Sequence, residues 1–509
     1  MKTRLEWIVF ICGACVMVLE MVGSRLMAPY LGTSLFVWTS LIGVILGCLS
    51  LGYWFGGLLA DRKPEMKTLS GVIFFAGVSV SAVALAGDPV LYLIQSSLVD
   101  VRIGAVIATL ILFGAPSTLL GIVSPYAVRL KLSRVESGGS AVGGLYALST
   151  LGSIVGTFLA GFFLLSFFSH RVILFLISLT LIFLAMTVAN SRWGRLSCLM
   201  AFILVSGSSF LPPFVQSVMG QGFVETQSAY NRIWVYNAFL EGRPIRVLQV
   251  NDANDSAMYT NSDELALVYT RYFRMAGHFH PQIDHALMIG GGAYSYPKYF
   301  LKEFPLATMD VVEIDPKLTQ IAEQHFSLQT QDRLHIFHED ARTFLNTTKS
   351  RYNVIFGDVY MSYSVPFHLT TKEAIQKIQE RLNDNGLFIM NVISSVEGDN
   401  GRFLRALIKT LDGSFKQVLV FAVDDPEDGA RPQNLIVLAF KTKEKRKFFS
   451  DDPEMNHFLS HIWTRDILRD MPVLTDALAP VERYTARLVT QNPERRNGFM
   501  QKKLREVHP

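Results

Sequence analysis

Residues 286–316 read ALMIGGGAYSYPKYFLKEFPLATMDVVEIDP. The order is a buried strand, a glycine turn, a helix, a second strand and an acid. Gly290, Gly291 and Gly292 carry no Cβ, so the backbone can turn sharply there and let a ligand approach. Glu313 follows Gly292 by 21 residues. That spacing sets a carboxylate at the end of the neighbouring strand, where ribose hydroxyls can donate to it. The stretch therefore predicts a nucleoside-binding α/β sheet.

Working outward, the same alternation continues. ALMIG, MDVVEID, LHIFHED, YNVIFGDV, GLFIMNVI, QVLVFAV and NLIVLAF read as strands, with helical stretches between most of them. This pattern predicts a doubly wound, mainly parallel, Rossmann-like sheet over 281–509. Such sheets bind ligands at the carboxyl ends of their strands. Glu313, Asp340 and Asp358 all fall at those ends. Residues 221–280 read as a β-rich lead-in, built from ETQSAYNRIWVYN, RVLQVND, SAMYTN and ELALVY.

The turn is GGGAYSYP and not G-x-G-x-x-G, and Pro297 stands early in the helix. A pyrophosphate cofactor wants the three-glycine pattern. A nucleoside without a pyrophosphate fits better, and S-adenosylmethionine is the commonest. It enters as substrate, with no further cofactor and no metal expected. Asp340, in HEDARTFL, is then placed to accept from the adenine amino group.

The chain has 509 residues, half of them hydrophobic, and the apolar ones are unevenly spread. Residues 1–213 predict an all-α transmembrane bundle of about seven segments: 7–29, 36–60, 69–87, 103–127, 141–168, 172–190 and 196–212. The first holds Glu20 and Arg25 and is followed by further spans, so it reads as part of the mature chain. Those two residues lie five apart, about 140° around a helix, and so do not face each other. Gly43/Gly47, Gly52/Gly56 and Gly152/Gly156 are small-residue pairs that allow close helix approach in lipid. The four cysteines, Cys12, Cys15, Cys48 and Cys198, all sit in spans and read as packing.

Lys2, Arg4 and the basic loops at 61–67, 129–134 and 192–195 put the N-terminus in the cytoplasm. Seven spans would then carry the nucleoside-binding half outside, away from its ligand. The segment 196–212 is the shortest and is rich in Ser and Gly. We read it as interfacial, with the catalytic half cytoplasmic. The tail from Tyr484 onward has six Lys or Arg and two Glu, the pattern of a solvated helix or of a contact with anionic lipid. The soluble half shows no other basic surface and no aromatic platform pattern, so nucleic acid is not an expected partner.

The soluble half resembles spermidine synthase, and the whole chain resembles the membrane-fused, spermidine-synthase-like proteins of bacteria. The resemblance rests on ETQSAYNRI (225–233), GGGAYSYP (290–297), VVEIDP (311–316), HEDARTFL (338–345), GDVYMSYSVPFHLTTKEA (357–374) and LTDALAPVER (474–483). It implies Gly290, Gly291, Gly292 and Ala293 around the ligand, Glu313 on the ribose and Asp340 with Ala341 at the adenine. It puts Asp358 at the reacting chain; Tyr230, Tyr269, Arg271 and Arg274 are our candidates along the tail. It also implies a multi-pass protein of the bacterial inner membrane. A homo-oligomer is left open.

Three departures stand out. Aminopropyltransferases carry Gly-Gly-Gly-Asp, where this chain has Ala293. Their Asp-Ser-Ser-Asp-Pro becomes Asp358-Val-Tyr-Met-Ser, with Met361 for the second acid. Their Tyr-His-Glu becomes Tyr269-Thr270-Arg271. A pocket that loses acids and gains an arginine, Arg271 or nearby Arg274, tolerates the carboxylate of undecarboxylated S-adenosylmethionine. Arg271 reads equally well as a solvated strand residue. These departures predict a lyase, in which the substrate's carboxylate attacks its own γ-carbon and releases methylthioadenosine and homoserine lactone. Aminopropyl transfer is the alternative, a ligand sensor gating the membrane half is a second, and methyl transfer comes last. Tyr360, Tyr363 and His368 lie in a loop that closes over the ligand; a tyrosine face suits a sulfonium, and His368 reads also as a loop anchor. Thr370-x-x-Glu373 reads as a capping box.

Overall fold

The computed structural model describes residues 2–32, 34–97, 100–132, 138–189, 195–196, 199–201, 203, 223–251, 253–329, 331–359 and 365–491. The chain divides into two compact units, Met1–Gln221 and Gly222–Pro509.

The first unit is helical. Its helices are α1 (Lys2–Leu31), α2 (Leu35–Arg62), α3 (Met66–Ser97), α4 (Val101–Lys131), α5 (Gly138–Leu159) and α6 (His170–Val188). A single π turn, Ala160–Leu164, carries α5 on to Phe167. Six stretches of the described residues are long and apolar enough to cross a membrane. They coincide with the first six expected spans; the seventh, 196–212, lies almost wholly outside the described residues. Gly52 and Gly56 press on the backbone of α4, and Gly152 and Gly156 on that of α1. A side chain at any of the four would collide with main-chain atoms, so packing explains them. Gly43 and Gly47 differ: a Cβ there would meet nothing within 4 Å.

One expected boundary moves. The span 69–87 was stopped short of Asp88-Pro89, but α3 runs through both to Ser97. Asp88 is held by the Tyr30 hydroxyl at 2.9 Å and by the Arg171 guanidinium. A paired acid sits inside a helix at lower cost than a bare one, which is why the sequence break is not a structural break.

The second unit holds two sheets. A four-stranded antiparallel meander comprises β1 (Val224–Gln227), β2 (Arg232–Leu240), β3 (Arg243–Val250) and β4 (Ala253–Tyr259). The large sheet comprises β5 (His285–Ile289), β6 (Thr308–Val312), β7 (Leu334–Phe337), β8 (Tyr352–Gly357), β9 (Leu382–Ser394), β10 (Gln417–Ala422) and β11 (Gln433–Phe440). Its order is β10-β11-β9-β8-β5-β6-β7. β5 to β9 run parallel, while β11 and β10 are antiparallel additions at one edge. All seven expected strands are present. ELALVY is the exception: Leu265 makes one bridge to Met258, and Val268–Tyr272 is a short helix.

Successive residues along a strand point to opposite faces. Met288, Val354, Phe356 and Ile389 enter one core, and Leu287, Ile289, Ile355 and Phe388 the other. A sheet covered on both faces needs near-continuous apolar runs, and these strands supply them. Chain order reverses at β5, which lies between β6 and β8. That is the switch point where the crevice opens.

Candidate functional site

The strand ends are held level by main-chain bonds. Gly290 N donates to Val312 O at 2.9 Å, Glu313 N to Phe337 O at 3.0 Å, and Asp358 N to Ile289 O at 2.9 Å. Immediately past β5 the backbone turns through Gly290 at φ 92° and Gly292 at φ 51°, a region costly for any residue with a Cβ. A Cβ at Gly290 would strike Asp358 O, and one at Gly292 would lie 2.7 Å from both Asp255 Oδ2 and Ser256 Oγ. Tyr294 also has positive φ, 56°, and is fully buried, with its hydroxyl 2.7 Å from Thr319 Oγ1. Pro297 falls in the first turn of helix Ser295–Glu303, where its missing N–H has no helical partner to lose.

Glu313 fastens this turn. Its Oε2 accepts from Gly291 N at 2.8 Å and Gly292 N at 3.4 Å, and its Oε1 from Asp315 N at 2.9 Å. Burial pushes its carboxyl up to about 7 against those three donors. Asp315 caps helix Pro316–His325 and takes bonds from Ser228 Oγ at 2.5 Å and Asn231 Nδ2 at 3.0 Å. The small sheet is thereby tied to the nucleoside loop through ETQSAYNRI. Tyr230 stands half exposed on that turn.

Asp340 caps helix Ala341–Thr347. Its Oδ1 accepts from Thr343 N at 3.0 Å, and its Oδ2 lies 3.0 Å from His368 Nε2. Ala341, the first helical residue, is buried beside it. His368 thus contacts Asp340, as the loop-anchor reading expects. Arg342 donates to His368 O at 2.8 Å and to Asp476 Oδ2 at 2.8 Å, which brings HEDARTFL, the 365–374 segment and LTDALAPVER together. The cap of helix Lys372–Arg381 is Thr371, one residue later than expected; Glu373 accepts instead from Asp476 N at 3.0 Å. Tyr360, Met361 and Tyr363 lie outside the described residues.

Asp358 is the centre of the remaining contacts. Tyr269 donates its phenol to Asp358 Oδ2 at 3.1 Å, and Asn391 donates Nδ2 to Oδ1 at 3.3 Å. Burial raises the Asp358 carboxyl to about 6, opposed by those two bonds. Asp255, from β4, is not among the residues expected from the sequence. Burial, then the nearby Asp358 charge, raises it to about 7. It stands at the bulge where β3 and β4 change register, between Asn254 opposite Gln249 and Ser256 opposite Leu248, so alternation along the sequence does not single it out. Ser256, beside it, accepts from Ala293 N at 3.2 Å.

Arg271 and Arg274, expected along the substrate tail, pair with acids of a distant segment. Arg271 lies on a helix, donates Nε to Leu265 O at 2.8 Å and pairs with Glu454 at 3.5 Å. Arg274 pairs with Asp452 at 2.7 Å and with Glu454. These guanidiniums pin the short helices to Pro453–Ser460, and the substrate carboxylate assigned to them loses its partner.

Residues 268–424 match the spermine/spermidine synthase domain family. A polyamine aminopropyltransferase of Vibrio vulnificus is 27% identical over 158 residues, covering 30% of this chain and 50% of that one. A probable polyamine aminopropyl transferase of Bifidobacterium longum is 25% identical over 226 residues, covering 43% and 49%. The chain thus spans about half the length of these curated relatives. A solved structure of a probable spermidine synthase from Corynebacterium glutamicum aligns with a TM-score of 0.40 at 22% identity, over 46% of this chain and 85% of that one. The Gly290–Gly292 turn, Glu313, Asp340 and Asp358 all fall inside the matched stretch, and the chain carries, over residues 268–424, a spermine/spermidine synthase domain.

Proposed function

We propose that the second unit transfers an aminopropyl group from an adenosyl sulfonium to an amine. One observation carries this reading. Glu313, Asp358 and Asp255 crowd one crevice, and no Lys, Arg or His forms an ion pair with any of them among the described residues. Burial disfavours their charged forms, and a bound cation would favour them. A sulfonium with an ammonium tail supplies two positive charges. The lyase needed a guanidinium for the substrate carboxylate, and both candidates are engaged elsewhere.

In this reading Glu313 accepts from the ribose hydroxyls and Asp340 from the adenine amino group. An uncharged amine nitrogen attacks the carbon beside sulfur. The C–N bond forms, the C–S bond breaks, and its electron pair leaves on neutral methylthioadenosine. The new ammonium then sheds one proton, for which the Asp358 carboxylate is the nearest acceptor. Alignment of nitrogen, carbon and sulfur supplies most of the rate.

Mass spectrometry of the products tests it. The purified chain, given decarboxylated S-adenosylmethionine and putrescine, should yield methylthioadenosine and an aminopropylated amine in equal amounts. Methylthioadenosine and homoserine lactone from S-adenosylmethionine alone would establish the lyase. A methylated acceptor would establish methyl transfer, and unchanged ligand throughout a sensor.

A cytoplasmic second unit belongs to the same proposal, because adenosyl donors are made there. Protease added to right-side-out spheroplasts should leave 223–491 intact. Its digestion from outside would place the unit on the opposite face and separate it from its donor.

A further inference from the structure

Resting on the transfer reading, we infer that Asp255 is the specificity residue for the donor's tail, admitting an ammonium and rejecting a carboxylate. It comes from the small sheet, outside the 268–424 match. Ala293, in the glycine turn, is apolar, so an acid for the tail has to arrive from elsewhere. Asp255 arrives: its Oδ2 lies 2.7 Å from where a Cβ at Gly292 would stand. The absence of that Cβ is what lets the carboxylate reach the turn. Its one hydrogen-bond donor among the described residues is its neighbour Ser256, at 3.2 Å. A carboxylate has about four acceptor sites, so most of its capacity is unused.

An independent observation points the same way. Asn391, on β9, is only 4% exposed. Its Nδ2 is spent on Asp358, while its Oδ1 has no partner among the described residues. A buried amide oxygen left unpaired costs free energy that an N–H donor restores. The Tyr269 phenol links the two acids, 3.1 Å from Asp358 Oδ2 and 3.5 Å from the main-chain oxygen of Asp255. The Asp255 carboxylate and an orphan amide oxygen suit a primary ammonium, which offers three donors and a positive charge. A tail carboxylate would meet like charge.

Equilibrium binding to the full-length chain in detergent tests this without requiring turnover. The probes are decarboxylated S-adenosylmethionine, S-adenosylmethionine, and methylthioadenosine, which has no charged tail. Wild type should prefer the decarboxylated donor. Asp255→Asn should shrink that preference about 10- to 100-fold, the range for a charged hydrogen bond, and leave methylthioadenosine affinity unchanged. Adding Ala293→Asp to Asp255→Asn should restore part of the preference. Equal wild-type affinity for the two donors overturns the assignment. So does a variant whose preference is intact, or one that loses methylthioadenosine in proportion, since the role would then be structural. Failure of the transfer reading is seen elsewhere, as absence of aminopropylated product from wild type while the binding preference stands.

Discussion

Asp358→Asn should lower kcat about 10²- to 10³-fold while leaving donor affinity within a few-fold, as expected for loss of one positioned proton acceptor or charge. The substitution keeps shape and removes charge. Asp358 N is bonded to Ile289 O, so the backbone stays at the end of β8. Tyr269 and Asn391 already orient the side chain from two sides. An asparagine can keep one of those bonds, but it turns its own NH2 toward the phenol or toward the Asn391 amide. It also cannot take the proton that the new C–N bond releases. The loss should therefore appear in kcat and in kcat/KM together, the signature of an interaction made in the transition state. Steady-state kinetics with saturating amine decides it. A kcat within threefold of wild type would remove Asp358 from the chemistry.

The large sheet was legible because burial on both faces forces long apolar runs, and ALMIG, YNVIFGDV and NLIVLAF have no other reading. The first six spans were legible for the same reason, with lipid in place of protein. Glu313 and Asp340 were legible because a carboxylate at a strand end follows from spacing alone. What escaped depended on partners far along the chain. ELALVY alternates like a strand, yet its end enters a short helix, and the following Arg271 and Arg274 meet Glu454 and Asp452 some 180 residues away. His368 read both as a catalytic group and as a loop anchor, and its partner, Asp340, lies 28 residues away along the chain. Asp255 was hidden in NDANDSAMY, where a buried-face acid is visible only once the register of β4 is known. The lyase expectation came from counting acids along the glycine turn and the 357–374 segment. Asp255 lies in another sheet, outside those motifs, where such a count does not reach it.

Glu313→Gln should weaken methylthioadenosine binding by about 1–3 kcal/mol, the cost of a lost charged hydrogen bond plus the donors left unpaired. Methylthioadenosine is the informative probe, because it isolates the nucleoside from the tail. Glu313 accepts three main-chain N–H groups with its two oxygens. A glutamine turns an NH2 toward at least one of them, so the turn at Gly291 and Gly292 loosens as the ribose loses its acceptor. Unchanged affinity by calorimetry would remove Glu313 from the site. The same carboxylates give a pH dependence with a definite sign. Glu313 and Asp255 are raised to about 7 and Asp358 to about 6 by burial. A folded pKa above the unfolded one means that the native state binds more protons between about 4 and 7. Their contribution to stability is thus fully present below about pH 4 and is lost as pH rises through about 7. A cationic donor binds the ionised carboxylates and reverses that loss. The rise in unfolding temperature on adding decarboxylated S-adenosylmethionine should therefore be larger near about pH 8 than near about pH 5. Methylthioadenosine, which is neutral, should show a much weaker trend. A donor-induced rise that is flat across that range would mean that the acids do not face the donor's charge, and the transfer reading would lose the observation that carries it.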